Sequence, residues 1–217
     1  MAKQRYEYWN VPRDWPGETV FIVGGGTSLI GVDLSVLRGR RVIALNTSWE
    51  DVPFADLLMF ADVRWWNLHQ KKIHQGFKGQ LATTSQLARG GPELLRLRVI
   101  KSGEGLATAT NSAVYRRTVL QPAINVAVHR GAARVALLGI DMTRMPTDLQ
   151  NGRTHHHKPH PWNNRPGNKS WDMQMEELKF LVQPLQERGI PVVNLSAISR
   201  IPWWPKDSLQ NFLQTTA

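Results

Sequence analysis

The sequence contains no cysteine among its 217 residues. This absence excludes disulfides, a catalytic thiolate and cysteine-bound zinc. No apolar run approaches the roughly 20 residues that a membrane-spanning helix needs. The first residues, MAKQRYEYWNVPRDWPGE, lack the apolar segment of a secretory signal. We therefore expect a cytoplasmic protein that has no membrane partner.

Acidic residues are scarce in the middle of the chain. The sequence has 27 Lys and Arg against 17 Asp and Glu, a formal net charge of +10. Residues 61–140 hold 12 basic and 3 acidic residues, whereas residues 1–60 hold 6 and 7, and residues 141–217 hold 9 and 7. This asymmetry indicates either a polyanionic partner such as nucleic acid or a solvated basic surface without a partner. No known RNA-binding signature separates the two interpretations.

Short apolar runs predict strands at residues 19–23, 41–45, 57–60, 97–101, 134–139 and 191–195. Because these runs lack strict alternation, they are typical of parallel strands covered on both faces. Helical patterns lie between them, most clearly at 112–132 and 171–189, and Pro122 and Pro184 predict a kink or break in each. The alternation predicts an α/β fold with a single Rossmann-like, doubly wound, mostly parallel sheet and helices on both faces.

We expect one domain over residues 1–217, a nucleotide-binding transferase. Its nucleotide-binding core is predicted at 19–140. Residues 141–170, rich in Pro, Asn, His and Gly, are typical of an active-site loop or lid. Residues 171–217 complete the domain with a helix, a strand and a closing segment.

Three glycines and two hydroxyl residues follow the first strand directly, in VFIVGGGTSL. In a doubly wound sheet, ligands bind beyond the carboxyl ends of strands, where a glycine-rich turn lets backbone N–H groups approach a phosphate. Leu29 replaces the third glycine of a dinucleotide fingerprint, and no P-loop lysine follows. A tight turn without ligand is the alternative. The leading prediction is a nucleotide-phosphate site formed by Gly24, Gly25, Gly26, Thr27 and Ser28.

The turn belongs to an ordered set of motifs that covers about residues 19–210. After it come an Asp-x-x-x-Leu helix, a strand ending in Asn, ADLLMFAD, Asn111-Ser112, RVALLGIDM, GRTHHHKPHP and PVVNLSAISRIPWWPKDSL. The set resembles the bacterial CMP-sialic-acid-dependent sialyltransferases and the 6-hydroxymethylpterin pyrophosphokinase-like domain common in phage-encoded proteins. Thr27 stands where that family often has Pro, and the helical pattern after Asn111 is longer than theirs.

The resemblance implies a nucleotide-sugar-dependent glycosyltransferase whose substrate is a CMP- or UDP-type donor. By the same resemblance, Asn46 contacts the nucleotide, whereas a turn-forming Asn is the plain alternative. No cofactor is certain. Nucleic acid is an expected acceptor for the basic region 61–140, in particular a hydroxymethylated base of phage DNA. The oligomeric state is not predicted.

The loop THHHKPHPWNNRPGN carries four of the seven histidines. In the sialyltransferases a His of this loop activates the acceptor hydroxyl, and His157, His155 and His160 are the candidates for that general base. Arg153 and Arg165 can neutralise the leaving group. An unusual zinc site or a histidine-rich surface are the other interpretations.

Four polar residues at strand or helix ends have several interpretations each. Asp62 can bind Mg²⁺, accept a ribose hydroxyl or cap a helix. Asn111 and Ser112 are predicted to begin a helix, where an anion binds or the side chains act as caps. Asp141 can bind a metal, orient the histidine loop or cap a turn.

Two other functions stay open. One is a pyrophosphokinase-like or other nucleotide-dependent transferase that holds Mg²⁺ on Asp62 and Asp141. The other is a non-enzymatic DNA-binding or assembly protein that keeps the fold and a vestigial pocket.

Overall fold

The computed structural model describes residues 7–90, 93–101, 105–143 and 168–215. The strands are β1 (Thr19–Val23), β2 (Arg41–Leu45), β3 (Leu57–Phe60), β4 (Gln80–Thr83), β5 (Leu94–Arg96), β6 (Arg98–Ile100), β7 (Ser112–Val114), β8 (Arg134–Leu138) and β9 (Val192–Asn194). The helices are α1 (Val63–Gly76), α2 (Leu120–Arg130), α3 (Asn168–Lys179), α4 (Val182–Glu187) and α5 (Leu209–Thr215). Short 3-10 helices span Thr27–Leu29, Leu34–Leu37 and Asn46–Glu50.

Seven strands form one parallel sheet in the order β5-β4-β3-β2-β1-β8-β9. The central strand β1 pairs with β2 on one side, where Val20 lies opposite Arg41, and with β8 on the other, where Val20 lies opposite Val135. β6 and β7 form a separate parallel pair. The predicted Rossmann-like α/β sheet is therefore confirmed.

Successive residues of the central strands face opposite sides of the sheet, as the two-residue period of a strand requires. Val20 and Ile22 pack in one core together with α2, α3 and α4. Phe21 and Val23 pack in a second core together with α1 and α5. Helices therefore cover both faces of the sheet. The loops meet at the ends of the strands, which the two cores do not cover.

The long helix predicted at 112–132 is wrong in its first part. Ser112–Val114 is strand β7, and helix α2 begins only at Leu120. Pro122 lies in the first turn of α2, where its missing N–H costs no hydrogen bond, so the proline marks a helix start rather than a kink. The pattern at 171–189 likewise divides into α3 and α4, with Pro184 in the first turn of α4.

The N-terminal segment is tied to the end of α2 by Arg130, which is 3% exposed. Its guanidinium donates to both carboxylate oxygens of Asp14, at 3.1 and 3.0 Å, and lies 4.1 Å from the ring centre of Trp15. The backbone N–H of Trp15 donates to the backbone carbonyl of Arg130 at 2.8 Å. These contacts hold the segment before β1 against the sheet. In the described part of the chain, no helix has the length and apolar character needed to cross a bilayer.

Candidate functional site

The candidate site lies where the strand order reverses. From β1 the chain continues to β2 on one side, whereas β8, the other neighbour of β1, comes much later in the sequence. Such a switch point leaves a crevice beyond the carboxyl ends of the two central strands, and open α/β sheets bind ligands there. Two segments meet at this point: the glycine turn after β1 and residues 139–141 after β8.

Two of the three glycines are required by the protein's own packing. The N–H groups of Gly24 and Gly26 donate to the carbonyls of Leu138 and Gly139, both at 2.8 Å. A Cβ on Gly24 would lie 2.8 Å from the Gly139 oxygen and would collide with the Ile140 side chain. A Cβ on Gly26 would lie 2.7 Å from the same oxygen and would collide with the carboxylate of Asp141. Residues 139–141 therefore approach the turn so closely that a side chain is excluded at both positions.

Asp141 is held at the turn by three hydrogen bonds. Its carboxylate accepts from the Ser28 N–H at 2.9 Å, from the Ser28 hydroxyl at 2.6 Å and from the Ser196 hydroxyl at 2.7 Å. The residue is 2% exposed. Of the predicted site residues, Gly26, Ser28 and Asp141 are thus in direct contact.

A second network continues from Asp141 to the segment after β9. The buried Asn194 side chain donates to the Ile140 carbonyl at 3.0 Å and to the Ser199 hydroxyl at 2.9 Å, and its oxygen accepts from the Ser196 N–H at 3.2 Å. We call residues 139–141 and 194–199 the closed half of the carboxyl edge. Asn194 and Ser196 were not predicted as site residues, although a polar residue at the end of the apolar run 191–195 and another directly after that run were a usable signal.

On the other side of β1, two buried polar atoms have no hydrogen-bond partner among the described residues. One is the hydroxyl oxygen of Thr27, a residue that is 2% exposed, and the other is the carboxamide oxygen Oδ1 of Asn46. Thr27 follows β1 and Asn46 follows β2, so the two lie beyond neighbouring strands. We call Thr27 and Asn46 the open half of the edge. Buried polar atoms without partners are rare in proteins, and each one needs an explanation.

Asn46 also has an unusual backbone, with a φ of 49°. Asn is among the few residues that adopt this left-handed conformation at low cost. The next residues fix the bend, because Ser48 accepts a hydrogen bond from the Leu45 N–H at 2.9 Å and donates to the Val23 carbonyl at 2.6 Å. The Asn46 side chain is therefore presented from a rigid bend between the ends of β1 and β2.

Asp62 caps helix α1. Its carboxylate accepts from the Arg64 N–H at 2.7 Å and lies 3.4 Å from the Arg64 guanidinium. Its charge also reaches Tyr115: burial, and then the negative charge of Asp62, raise the pKa of the Tyr115 hydroxyl. Tyr115 was not predicted as a site residue, because the pattern of residues 112–132 favours a helix.

Asn111 and Ser112 do not begin a helix, so the predicted helix start is wrong there, while their part in nucleotide binding stays a prediction. Ser112 is the first residue of β7, and its hydroxyl donates to the Asn111 side-chain oxygen at 3.0 Å. The Ser112 carbonyl lies 3.2 Å from the Nε2 atom of His129 on α2. Ser112 belongs to the β6–β7 pair, and the carbonyl of Asn111 accepts from the Arg98 N–H of β6 at 2.9 Å; neither residue bonds to the glycine turn in the described part of the chain.

The predicted general bases His155, His157 and His160, and the leaving-group residues Arg153 and Arg165, lie outside the described residues. Within the described ranges, no group of three or more His, Asp or Glu side chains is placed to hold a metal ion.

No protein-family model matches the sequence, and no curated protein sequence matches it. Among solved structures, it is similar to the sialyltransferase CstII from Campylobacter jejuni in complex with cytidine-5'-monophosphate, with 14% identity and a TM-score of 0.49 over 88% of this chain and 85% of that one. It is also similar to the monofunctional α-2,3-sialyltransferase Cst-I of the same organism, with 13% identity and a TM-score of 0.47 over 88% and 80%. Because the identities are low and the TM-scores are below 0.5, the function has to be argued from the chain itself.

Proposed function

We propose that the chain is a nucleotide-sugar-dependent glycosyltransferase whose donor binds at the switch point of the sheet. The observation that carries this proposal is the pair of buried polar atoms in the open half, Thr27 Oγ1 and Asn46 Oδ1, to which no described residue makes a hydrogen bond. Leaving a buried polar atom unpaired costs about 1–3 kcal/mol, so a ligand that supplies the missing partners binds at these atoms with advantage.

Asn46 Oδ1 and Thr27 Oγ1 can form hydrogen bonds with different groups of a ligand. The Asn46 oxygen only accepts hydrogen bonds, so its partner is a donor such as a ribose hydroxyl or a base amino group. The Thr27 hydroxyl can donate to a phosphate oxygen. A nucleoside phosphate carries both kinds of group. The ordered sequence motifs add the glycosyl-transfer chemistry, because they resemble enzymes that use a CMP-linked sugar.

In the proposed reaction, a histidine of the segment 155–160 takes the proton of the acceptor hydroxyl, which attacks the anomeric carbon of the donor sugar. The bond between that carbon and the phosphate oxygen breaks, and the nucleotide leaves with the bonding electrons. Arg153 and Arg165 neutralise the leaving phosphate. These roles come from the sequence resemblance and stay predictions.

Nucleic acid as the acceptor is the least supported part of the proposal, because several of the positive charges of residues 61–140 are used inside the chain. Arg96 is buried and donates to the carbonyls of Ala88 and Leu94, at 2.7 and 3.0 Å. Arg130 is buried against Asp14. Exposed basic side chains do remain in this region, among them Lys71, Lys78, Arg89 and Lys101.

A thermal-shift screen of the full chain tests the proposal first. CMP, UMP, UDP, ADP and AMP are added with and without Mg²⁺, and we expect CMP or one of the uridine nucleotides to raise Tm. The second step measures nucleotide release from CMP- and UDP-sugars in the presence and absence of EDTA. Release that persists in EDTA supports a glycosyltransferase that needs no metal.

Other outcomes of the same experiments point to the other functions. AMP release from ATP that EDTA abolishes would support the pyrophosphokinase-like transferase with Mg²⁺ on Asp62 and Asp141. Binding to duplex DNA with a steep salt dependence, and no shift with any nucleotide, would support a DNA-binding protein. Neither alternative is favoured by a contact in the described residues.

A further inference from the structure

Asp141 is the most tightly bonded of the predicted site residues. We infer that it is a positioning residue of the proposed nucleotide site: it fixes the glycine turn by hydrogen bonds, and its charge takes no part in the chemistry. The inference rests on the proposed function and adds to it that the two sides of the glycine turn have different roles. One side of the turn is bonded to Asp141, and the other is left for the nucleotide.

The first step concerns the oxygens of the carboxylate. Oδ2 accepts from the Ser28 N–H, and Oδ1 accepts from the hydroxyls of Ser28 and Ser196. With 2% of the residue exposed, this carboxylate is enclosed by the turn and by the segment after β9. A metal ion or an acceptor proton would therefore have to displace bonds that already hold the fold together.

The second step concerns the backbone amides of the turn. Every second amide points to the strand β8 side: Gly24 donates to Leu138, Gly26 donates to Gly139, and Ser28 donates to Asp141. The intervening amides belong to Gly25 and Thr27, and the described residues provide no hydrogen-bond acceptor for either. Thr27 also carries the unpaired hydroxyl. A phosphate can therefore accept from the amides of Gly25 and Thr27, for which no described residue supplies an acceptor. The Ser28 amide is already bonded to Asp141, so Ser28 affects the phosphate only by holding the turn in shape.

The third step is a substitution that separates shape from charge. In Asp141→Asn, the amide oxygen can still accept from the Ser28 N–H, and the two amide hydrogens can be donated to the hydroxyls of Ser28 and Ser196, because a hydroxyl accepts as well as donates. All three hydrogen bonds survive while the negative charge is lost. In Asp141→Ala, by contrast, the Ser28 N–H and both hydroxyls lose their partner.

The experiment measures CMP binding by calorimetry and CMP-sugar turnover for the wild type, Asp141→Asn and Asp141→Ala. We expect Asp141→Asn to keep affinity and kcat within about 3-fold of the wild type. We expect Asp141→Ala to weaken CMP binding by about 10-fold or more, the equivalent of one lost charge-assisted hydrogen bond. A loss of turnover in Asp141→Asn as large as in Asp141→Ala would overturn the inference, because a metal ligand or a general base needs the charge.

Hydrogen exchange at the amides of residues 24–29 provides a readout that does not depend on nucleotide. We expect faster exchange at Ser28 in Asp141→Ala and protection like that of the wild type in Asp141→Asn; equal exchange in the two variants would overturn the inference. If the wild type binds none of the nucleotides, the proposed function fails, while this exchange pattern still decides whether the hydrogen bonds of Asp141, rather than its charge, fix the glycine turn. Ser196→Ala, which removes one bond outside the turn, replaces Asp141→Ala if that variant does not fold, and we then expect a smaller acceleration at Ser28.

Discussion

The two halves of the carboxyl edge use polar residues in opposite ways. In the closed half, Asp141 and Asn194 are buried, and the side-chain oxygens of both accept hydrogen bonds within the chain. In the open half, Thr27 and Asn46 each bury an oxygen to which no residue of the described ranges makes a hydrogen bond. Both halves flank the same strand β1 and differ little in residue type.

The difference shows that residue type and position at a strand end do not identify a ligand-binding group by themselves. Asp141 follows a strand, as a metal ligand or a turn cap can, and its carboxylate accepts three hydrogen bonds within the chain. Asn46 looks like an ordinary turn residue, yet its side-chain oxygen has no partner among the described residues. Whether the side-chain oxygens of a residue are already hydrogen-bonded within the chain therefore distinguishes a residue that shapes the site from a candidate for ligand binding. Four measurements can test this comparison.

Gly26→Ala should have the largest effect, because its Cβ would collide with the carboxylate of Asp141 and lie 2.7 Å from the Gly139 oxygen. We expect a loss of about 3 kcal/mol in the free energy of unfolding, measured by urea denaturation followed by tryptophan fluorescence. Gly76→Ala is the matched control: its Cβ would lie 3.4 Å from the Trp49 ring, an ordinary contact, and we expect a change within about 1 kcal/mol. Equal stability of the two variants would show that the closed half is not packed as described.

Asn194→Ala should have the second-largest effect on stability. The substitution removes hydrogen bonds to the Ile140 carbonyl, the Ser199 hydroxyl and the Ser196 N–H in a fully buried position, so we expect a loss of roughly 2 kcal/mol. Asn211→Ala serves as the control, because Asn211 is exposed and its bonds to Asp207 lie on the surface. There we expect a change of less than about 0.5 kcal/mol. The same denaturation assay compares the two.

Asn46→Gly should affect binding more than stability. Glycine accepts the φ of 49° without strain, and the lost oxygen has no partner in the part of the chain that the structure describes, so we expect the free energy of unfolding to change by less than about 1 kcal/mol. We expect CMP affinity to fall by about 10-fold, the equivalent of one hydrogen bond. Calorimetry on this variant and on Asn67→Ala, an exposed position of α1, provides the comparison. If both variants bind CMP like the wild type, the open half is not the nucleotide site.

The smallest effect concerns acid sensitivity, which should arise outside both halves. Burial, the main cause, lowers the pKa of His129 below 6.5; the hydrogen bond with the Ser112 carbonyl opposes the shift, and the charge of Arg188 adds to it. The unfolded chain therefore binds the proton more readily. The contribution of His129 to stability is complete above pH 6.5 and is lost as the pH falls through the lower pKa of the folded state.

His129→Gln, which can still donate to the Ser112 carbonyl, should flatten this part of the pH dependence. A slope of the same sign should remain from His69, whose pKa is lowered chiefly by burial. Denaturation curves at several values between pH 5 and pH 8 measure both slopes. An unchanged slope in His129→Gln would place the acid-sensitive group elsewhere.

The strands were predictable because buried parallel strands are short apolar runs with sharp ends. Five of the six predicted runs contain a single strand of the main sheet, and the run at 97–101 contains β6. β4 and β5 were missed because QLAT and LLR each have only two apolar residues, whereas all four residues of β3 are apolar. β7 was missed because SAV continues into a helical pattern, and only its pairing with β6 makes it a strand.

The site was predictable in part for a different reason. The position of the glycine turn and of Asn46 follows from the rule that strand ends bind ligands. The bonds of Asp141 do not, because Ser28 and Asp141 are 113 residues apart in the chain and meet only through the β1–β8 pairing. The same pairing explains Gly24 and Gly26, which the sequence alone attributed to an approaching phosphate.

The pairing of β1 with β8 also sets the order in which a newly made chain can mature. β1 to β5 leave the ribosome before Arg134 has been added, so during synthesis β1 is an exposed sheet edge that can associate with other chains. The turn after β1 acquires its final shape only when residues 139–141 have been added, and the bonds of Asp141 are complete only when Ser196 has followed β9. A chain interrupted before this point therefore carries the glycine turn without the residues that shape it.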